Sequence, residues 1–132
     1  MPIRFVARVL RSEEQPENDC ALVGIGEDIA DGFGLVFQCG LAEPDEQDVA
    51  LGMDSHCLVT TDGGTAYGCV TEISLDGDLL RIVLDPASLA DLEVEDAVIE
   101  VTLALGDGEV AALRAGLRRV LGYGRAAELV RL

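Results

Sequence analysis

Ile3, Phe5, Ala7 and Val9 alternate with a face that carries Arg4 and Arg8, and this period of two predicts a strand over Ile3 to Leu10 with one wet face. The polar run Ser12 to Asp19 reads as a loop. Cys20 to Gly26 is predicted as a second strand, and Phe33 to Cys39 as a third, with Phe33, Leu35, Phe37 and Cys39 on one face and Gly32 and Gly40 at its ends. Two hairpins follow. A loop at Asp62-Gly63-Gly64 with Gly64 left-handed sets Val59 opposite Tyr67 and Cys57 opposite Cys69. A tight turn at Asp76-Gly77 sets Ile73 opposite Leu80, Thr71 opposite Ile82 and Cys69 opposite Leu84. Both registers place Cys57, Val59, Tyr67, Cys69, Ile73, Leu80, Ile82 and Leu84 on one buried face, which predicts a three-stranded meander over residues 55–85.

Pro86 to Leu92 is expected to form a helical turn capped by Asp85, and Ala97 to Leu105 a strand with Ile99, Val101, Leu103 and Leu105 facing inward. The period then changes. Val110, Leu113, Leu117, Val120 and Leu121 recur at helical spacing from an Asp107 cap to about Gly122–Gly124, and Arg114, Arg118, Arg119 and Arg125 complement the negative end of the helix dipole. These elements define an α+β fold: a mostly antiparallel sheet of about six or seven strands with a C-terminal helix packed on one face.

The 132 residues suit one domain, 1–132, and 49% hydrophobic residues suffice for an ordinary interior. No apolar run approaches the roughly 18 to 20 residues of a membrane span, and Met1-Pro2-Ile3-Arg4-Phe5 lacks the parts of a signal peptide, so a cytoplasmic protein is expected. Charge sharpens this picture. The formal net charge is −16, and residues 12–110 hold 24 acids against Arg81 alone, whereas basic residues gather at the two ends. Such a body repels nucleic acid and anionic membranes and favours encounters with basic proteins, although acidity also serves solubility on its own.

Little in the chain suggests catalysis. Cys20, Cys39, Cys57 and Cys69 have no paired spacing for zinc and lie in strand-like apolar runs, so they are expected as reduced, buried thiols. The sole histidine, His56, adjoins Cys57, and neighbours on a strand point to opposite faces, which disfavours a Cys–His pair. Gly24-Ile25-Gly26 is followed by Glu27 and Asp28, whose carboxylates would repel a phosphate. The acidic turns match no calcium loop. Neither a cofactor nor a metal is expected, and the chain reads as a non-enzyme.

The segment least explained by turns and core packing runs from Glu43 to Leu58. Its bland reading is a connection with a helical turn, Val49, Leu51 and Met53 tucked under the sheet edge. The run Asp45-Glu46-Gln47-Asp48, then Leu51-Gly52-Met53-Asp54, Cys57-Leu58 and Tyr67-Gly68, with the N-terminal strand and the C-terminal Leu113-Arg114-Ala115-Gly116-Leu117-Arg118-Arg119-Val120-Leu121 stretch, resembles the Immunity protein 10 family of bacterial polymorphic toxin systems. Where that family's pattern has an aromatic residue and a glycine, this chain has His56 and Cys69.

The resemblance implies a cytosolic protein that binds a cognate toxin domain and occludes it without turnover. Many such toxins are nucleases, whose substrate-binding surfaces are basic, and an acidic protein fits them. On this reading Asp45, Glu46, Asp48 and Asp54, with His56 and Tyr67 at the adjoining strand, form part of the partner surface, although the hairpin register puts Tyr67 on the core face. A second reading is an acidic adaptor or subunit that meets another basic protein, and a third an enzyme of unrecognised type. A free edge strand leaves a homodimer open.

Overall fold

The structure, a computed structural model, describes residues 2–18, 20–28, 32–41, 45–51, 55–61, 63–123 and 129–132, with Asn18, Asp48 and Leu129 described by backbone alone. Along the chain run β1 (Ile3–Ala7), β2 (Val9–Gln15), β3 (Cys20–Gly26), β4 (Gly34–Gly40), α1 (Glu46–Ala50), β5 (Cys57–Thr60), β6 (Thr65–Tyr67), β7 (Val70–Asp76), β8 (Leu79–Leu84), α2 (Leu89–Leu92), β9 (Val98–Leu103), α3 (Asp107–Leu121) and β10 (Leu129–Arg131). Short 3-10 turns stand at Pro16–Asn18 and Pro86–Ser88. The class is α+β as expected. The described strands form two sheets of five rather than one sheet of six or seven: β1-β9-β8-β7-β10 and β2-β3-β4-β5-β6. Pairing is antiparallel except between β1 and β9 and between β7 and β10.

The N-terminal alternation therefore serves two sheets. β1 ends at Ala7, Arg8 donates its N–H to the Gly26 carbonyl at 2.9 Å, and the chain continues as β2 in the second sheet. The polar stretch Ser12–Gln15, expected as loop, is strand because β2 is an edge paired only with β3. Charged side chains suit such an edge. Arg11 pairs with Glu13 along it, and Glu14 pairs with Arg119 of α3.

Both hairpins fold two residues away from the predicted registers. Cys57 stands opposite Tyr67 and Val59 opposite Thr65, because Gly63 (φ 89°), not Gly64, takes the left-handed position. Gly64 has a different job: a Cβ there would lie 2.2 Å from the Leu92 carbonyl oxygen of α2, so its lack of a side chain lets α2 seat against β5 and β6. Thr60 completes that contact by donating its hydroxyl to the same oxygen at 2.8 Å. In the second hairpin Ile73 faces Ile82 and Leu75 faces Leu80. A slip of two preserves faces, so Ile73, Leu80, Ile82 and Leu84 are inward as predicted.

The meander does not form, since β6 and β7 lie in different sheets. The chain crosses between them at Gly68 and Cys69. Gly68 (φ 63°) turns the chain with its N–H donated to the His56 carbonyl at 2.9 Å, and the Val70 N–H reaches His56 Nε2 at 3.1 Å. A side chain at Gly68 would be left-handed and would crowd Ser55 Oγ at 3.1 Å.

The inward faces of both sheets and the apolar stripe of α3 share one core, in which Leu113, Leu117, Val120 and Leu121 are buried. Gly116 brings α3 close to β3, where an added Cβ would lie 3.2 Å from that of Val23. Asp107 is the first helical residue rather than the cap; Gly106 caps, and its N–H is donated to Glu109 Oε1 at 3.3 Å. Asp85 caps the Pro86 turn as predicted, accepting the Ala87 N–H at 3.0 Å.

Candidate partner-binding surface

With α3 and the first sheet on its inner side, the second sheet turns its other face outward. Strand pairing orders that face into rows that run across the strands. One row is Val9, Gly26 and Gly34; the next Arg11, Gly24, Val36, Val59 and Thr65; the third Glu13, Leu22, Gln38, Cys57 and Tyr67; the last Gln15, Cys20 and Gly40. Alternation puts Leu35, Phe37 and Leu58 in the core and leaves Val36 and Val59 half-buried outside.

Tyr67 belongs to this outer face. The predicted register placed it in the core, whereas the residue is 41% exposed at the edge strand, opposite Cys57. The reason is the phase of the hairpin: Leu58 and Ala66 fill the inner side, so Cys57, Val59 and Tyr67 must face out. His56 is corrected in the opposite sense. It is 1% exposed and its Nε2 accepts the Val70 amide, so it braces the crossover between sheets and is not on the surface.

The acidic segment leaves the sheet after Gly40 and returns at Cys57, hence at the same end as Tyr67 and the Pro16–Asn18 turn with Glu17. Asp45 and Glu46 are exposed, and α1 begins with the Val49 N–H donated to the Asp45 carbonyl at 3.1 Å. The backbone of Asp48 lies in α1; Asp54 and Met53 lie outside the described residues. Val49 and Leu51, expected under the sheet edge, are instead 59% and 63% exposed. Core packing therefore does not account for them. Sequence reading missed this pair and the outer-face residues Leu22, Val36, Gln38 and Val59; the alternation of Val36 and Gln38 with Leu35 and Phe37 was the signal available.

A polar network ties the middle of the face together. Glu13 accepts from Arg11 and, at 2.5 Å, from Gln15, and these hydrogen bonds hold its carboxyl below the usual glutamate range. The Cys20 thiol donates to Gln38 Oε1 at 3.4 Å. Burial pushes the Cys57 thiol up against opposing hydrogen bonds with Gln38 and Tyr67, and burial pushes Cys39 up as well. Protonated thiols are poor nucleophiles. Cys57 faces outward while His56 is engaged beneath, so the two do not form a dyad. Among the described residues no group of three or more His, Cys, Asp and Glu could hold a metal ion, and no helix is long and apolar enough to cross a membrane.

A family model described as Immunity protein 10 matches residues 6–111, a span that includes the whole outer face and the acidic segment. No curated protein and no solved structure matches the chain.

Proposed function

Because the chain belongs to the Immunity protein 10 family, we propose that its 132 residues act as one cytoplasmic immunity domain that binds a cognate toxin domain and neutralises it by occlusion, without turnover. The observation that carries this reading is the exposure of Val49 and Leu51 in a segment that also presents Asp45 and Glu46 to solvent. Apolar side chains that the core does not use, in one segment with exposed carboxylates, make a surface for a basic protein with an apolar contact of its own. Asp48 and Asp54 of the same sequence segment are assigned to this surface for their charge, and Tyr67 supplies a large ring at an edge strand. The whole acidic body steers a basic partner toward it and disfavours nucleic acid and membranes as direct ligands; a nuclease is the toxin type whose basic cleft such a surface fits best.

The test is the triple variant Asp45→Asn, Glu46→Gln, Asp48→Asn, assayed against the C-terminal domain of the toxin encoded beside this chain's gene. The fold should be unchanged, association slower, and the dependence of the on-rate on salt shallower than for the unaltered chain. Unchanged rescue of toxin-expressing cells, with unchanged rate and salt dependence, would place the interface elsewhere.

A further inference from the structure

The outer face ends, away from the acidic segment, in a cavity of about 550 Å³ lined by residues of β2, β3, β4 and β5 together with Asp28, Gly32, Phe33 and Thr61. From this cavity we infer an anchor pocket: the floor made by Gly24 and Gly26, walled by Val9, Val36 and Val59, takes one large apolar side chain of the basic protein partner. The inference rests on the immunity reading for the partner's identity and adds a second contact site to it.

The glycines carry the argument. A glycine inside a strand weakens it and gives up a side chain that could pack, so it calls for a reason. Elsewhere in this chain the fold supplies one: a Cβ would collide with α2 at Gly64 and crowd Val23 at Gly116. Among the described residues it would meet nothing closer at Gly24 than Val36 Cγ2 at 3.5 Å, and nothing closer at Gly26 than the Phe33 carbonyl oxygen at 3.5 Å, both ordinary contacts. Neither residue has a left-handed φ. An alanine would fit at both positions, and what it would occupy is the cavity. Backbone without side chains, itself buried, between half-buried valine walls leaves room for an aromatic ring or a long aliphatic chain, and the volume lies within the range of ligand pockets.

Charge selects the occupant's neighbours. Arg11 at the pocket wall is bonded to Glu13, and Asp28 is exposed at the rim, within a body whose residues 12–110 hold 24 acids and one arginine. The inserted side chain is thus best followed or preceded by Arg or Lys. A second copy of this chain would bring another −16 to the same face and is disfavoured.

The pocket is tested first on the full chain without a toxin, by following backbone amide resonances while p-cresol or indole is added as the side-chain probe. Saturable shifts centred on Gly24, Gly26 and Gly34 are expected, and Gly24→Ala should weaken them at least tenfold; shifts centred elsewhere, or none, would overturn the pocket. Gly24→Ala and Gly26→Ala should then melt no lower than the unaltered chain while binding the neighbouring toxin domain at least tenfold more weakly. A drop in melting temperature with unchanged affinity would make the glycines structural and overturn the inference. If the glycine variants bind normally and the Asp45, Glu46, Asp48 variant does not, the pocket falls and the immunity reading stands. If no variant and not even the unaltered chain binds that toxin domain, the immunity reading falls and takes the partner assignment with it. A dimer in sedimentation that Gly24→Ala dissociates would put a second copy in the slot, against the inference.

Discussion

His56 Nε2 accepts the Val70 N–H at 3.1 Å, joining the residue that precedes β5 in one sheet to the first residue of β7 in the other. The same histidine accepts the Gly68 N–H through its carbonyl at 2.9 Å, so both ends of the crossover hang on one buried residue. His56→Ala should cost about 1–3 kcal/mol for the stranded Val70 amide, plus the cavity left by the ring. His56→Gln, which keeps an acceptor, should recover part of that loss. Chemical denaturation of both variants measures it, and equal stability of the Ala variant and the unaltered chain would mean that the bond does not hold the crossover.

The helix gives a second expectation. Leu113 and Leu117 are fully buried between α3 and the sheets, so Leu117→Ala should destabilise by about 2–5 kcal/mol. Thermal denaturation reads this directly, and no loss would mean that α3 is detached from the core.

How much of this was legible in the sequence differs from element to element. Leu113, Leu117 and Leu121 declare α3 by spacing alone, and Leu35 and Phe37 declare the inner face of β4, because burial imposes its own period. The chain's passage between sheets at Arg8 and at Gly68 leaves no such mark: Ile3 to Leu10 alternates without a break, and only the backbone of Arg8 and the imidazole of His56 reveal the change. Gly64 misled the hairpin register, since glycine serves close approach as readily as a positive φ and the sequence does not tell which. For the candidate surface, Asp45 and Glu46 were legible as charge. Val49 and Leu51 were not, because apolar residues read as core until the structure leaves them outside.

Cys69 supplies a prediction in pH. Burial pushes its thiol up to about 12 from an ordinary 9.0. The folded state therefore holds the proton more tightly than the unfolded chain, so this contribution is fully present below about pH 9 and is lost as pH rises from there toward about 12. Stability should fall over that window by less in Cys69→Ala than in the unaltered chain. Thiol labelling of the native protein at pH 8 should reach half-buried Cys20 well before Cys39, Cys57 or Cys69, and equal rates would contradict the burial of the latter three.

Tyr67 separates structure from binding most cleanly. The residue is 41% exposed on a three-residue edge strand, so the fold buries only part of it, yet it stands at the end of the sheet from which the acidic segment departs and returns. Charge from Asp45 and Glu46 acts at a distance and speeds the approach of a basic domain, whereas a ring acts only on contact and slows departure. Tyr67→Ala should accordingly leave the on-rate and its salt dependence close to those of the unaltered chain and raise the dissociation rate of the toxin complex about tenfold, a loss of about 1.4 kcal/mol. Tyr67→Phe divides that effect. If the ring is the anchor, Phe retains most of the residence time; if the hydroxyl's hydrogen bond with Cys57 sets the geometry of the rim, Phe behaves like Ala. A dissociation rate unmoved by Tyr67→Ala would remove this residue from the interface while leaving the carboxylates to be judged on their own variant.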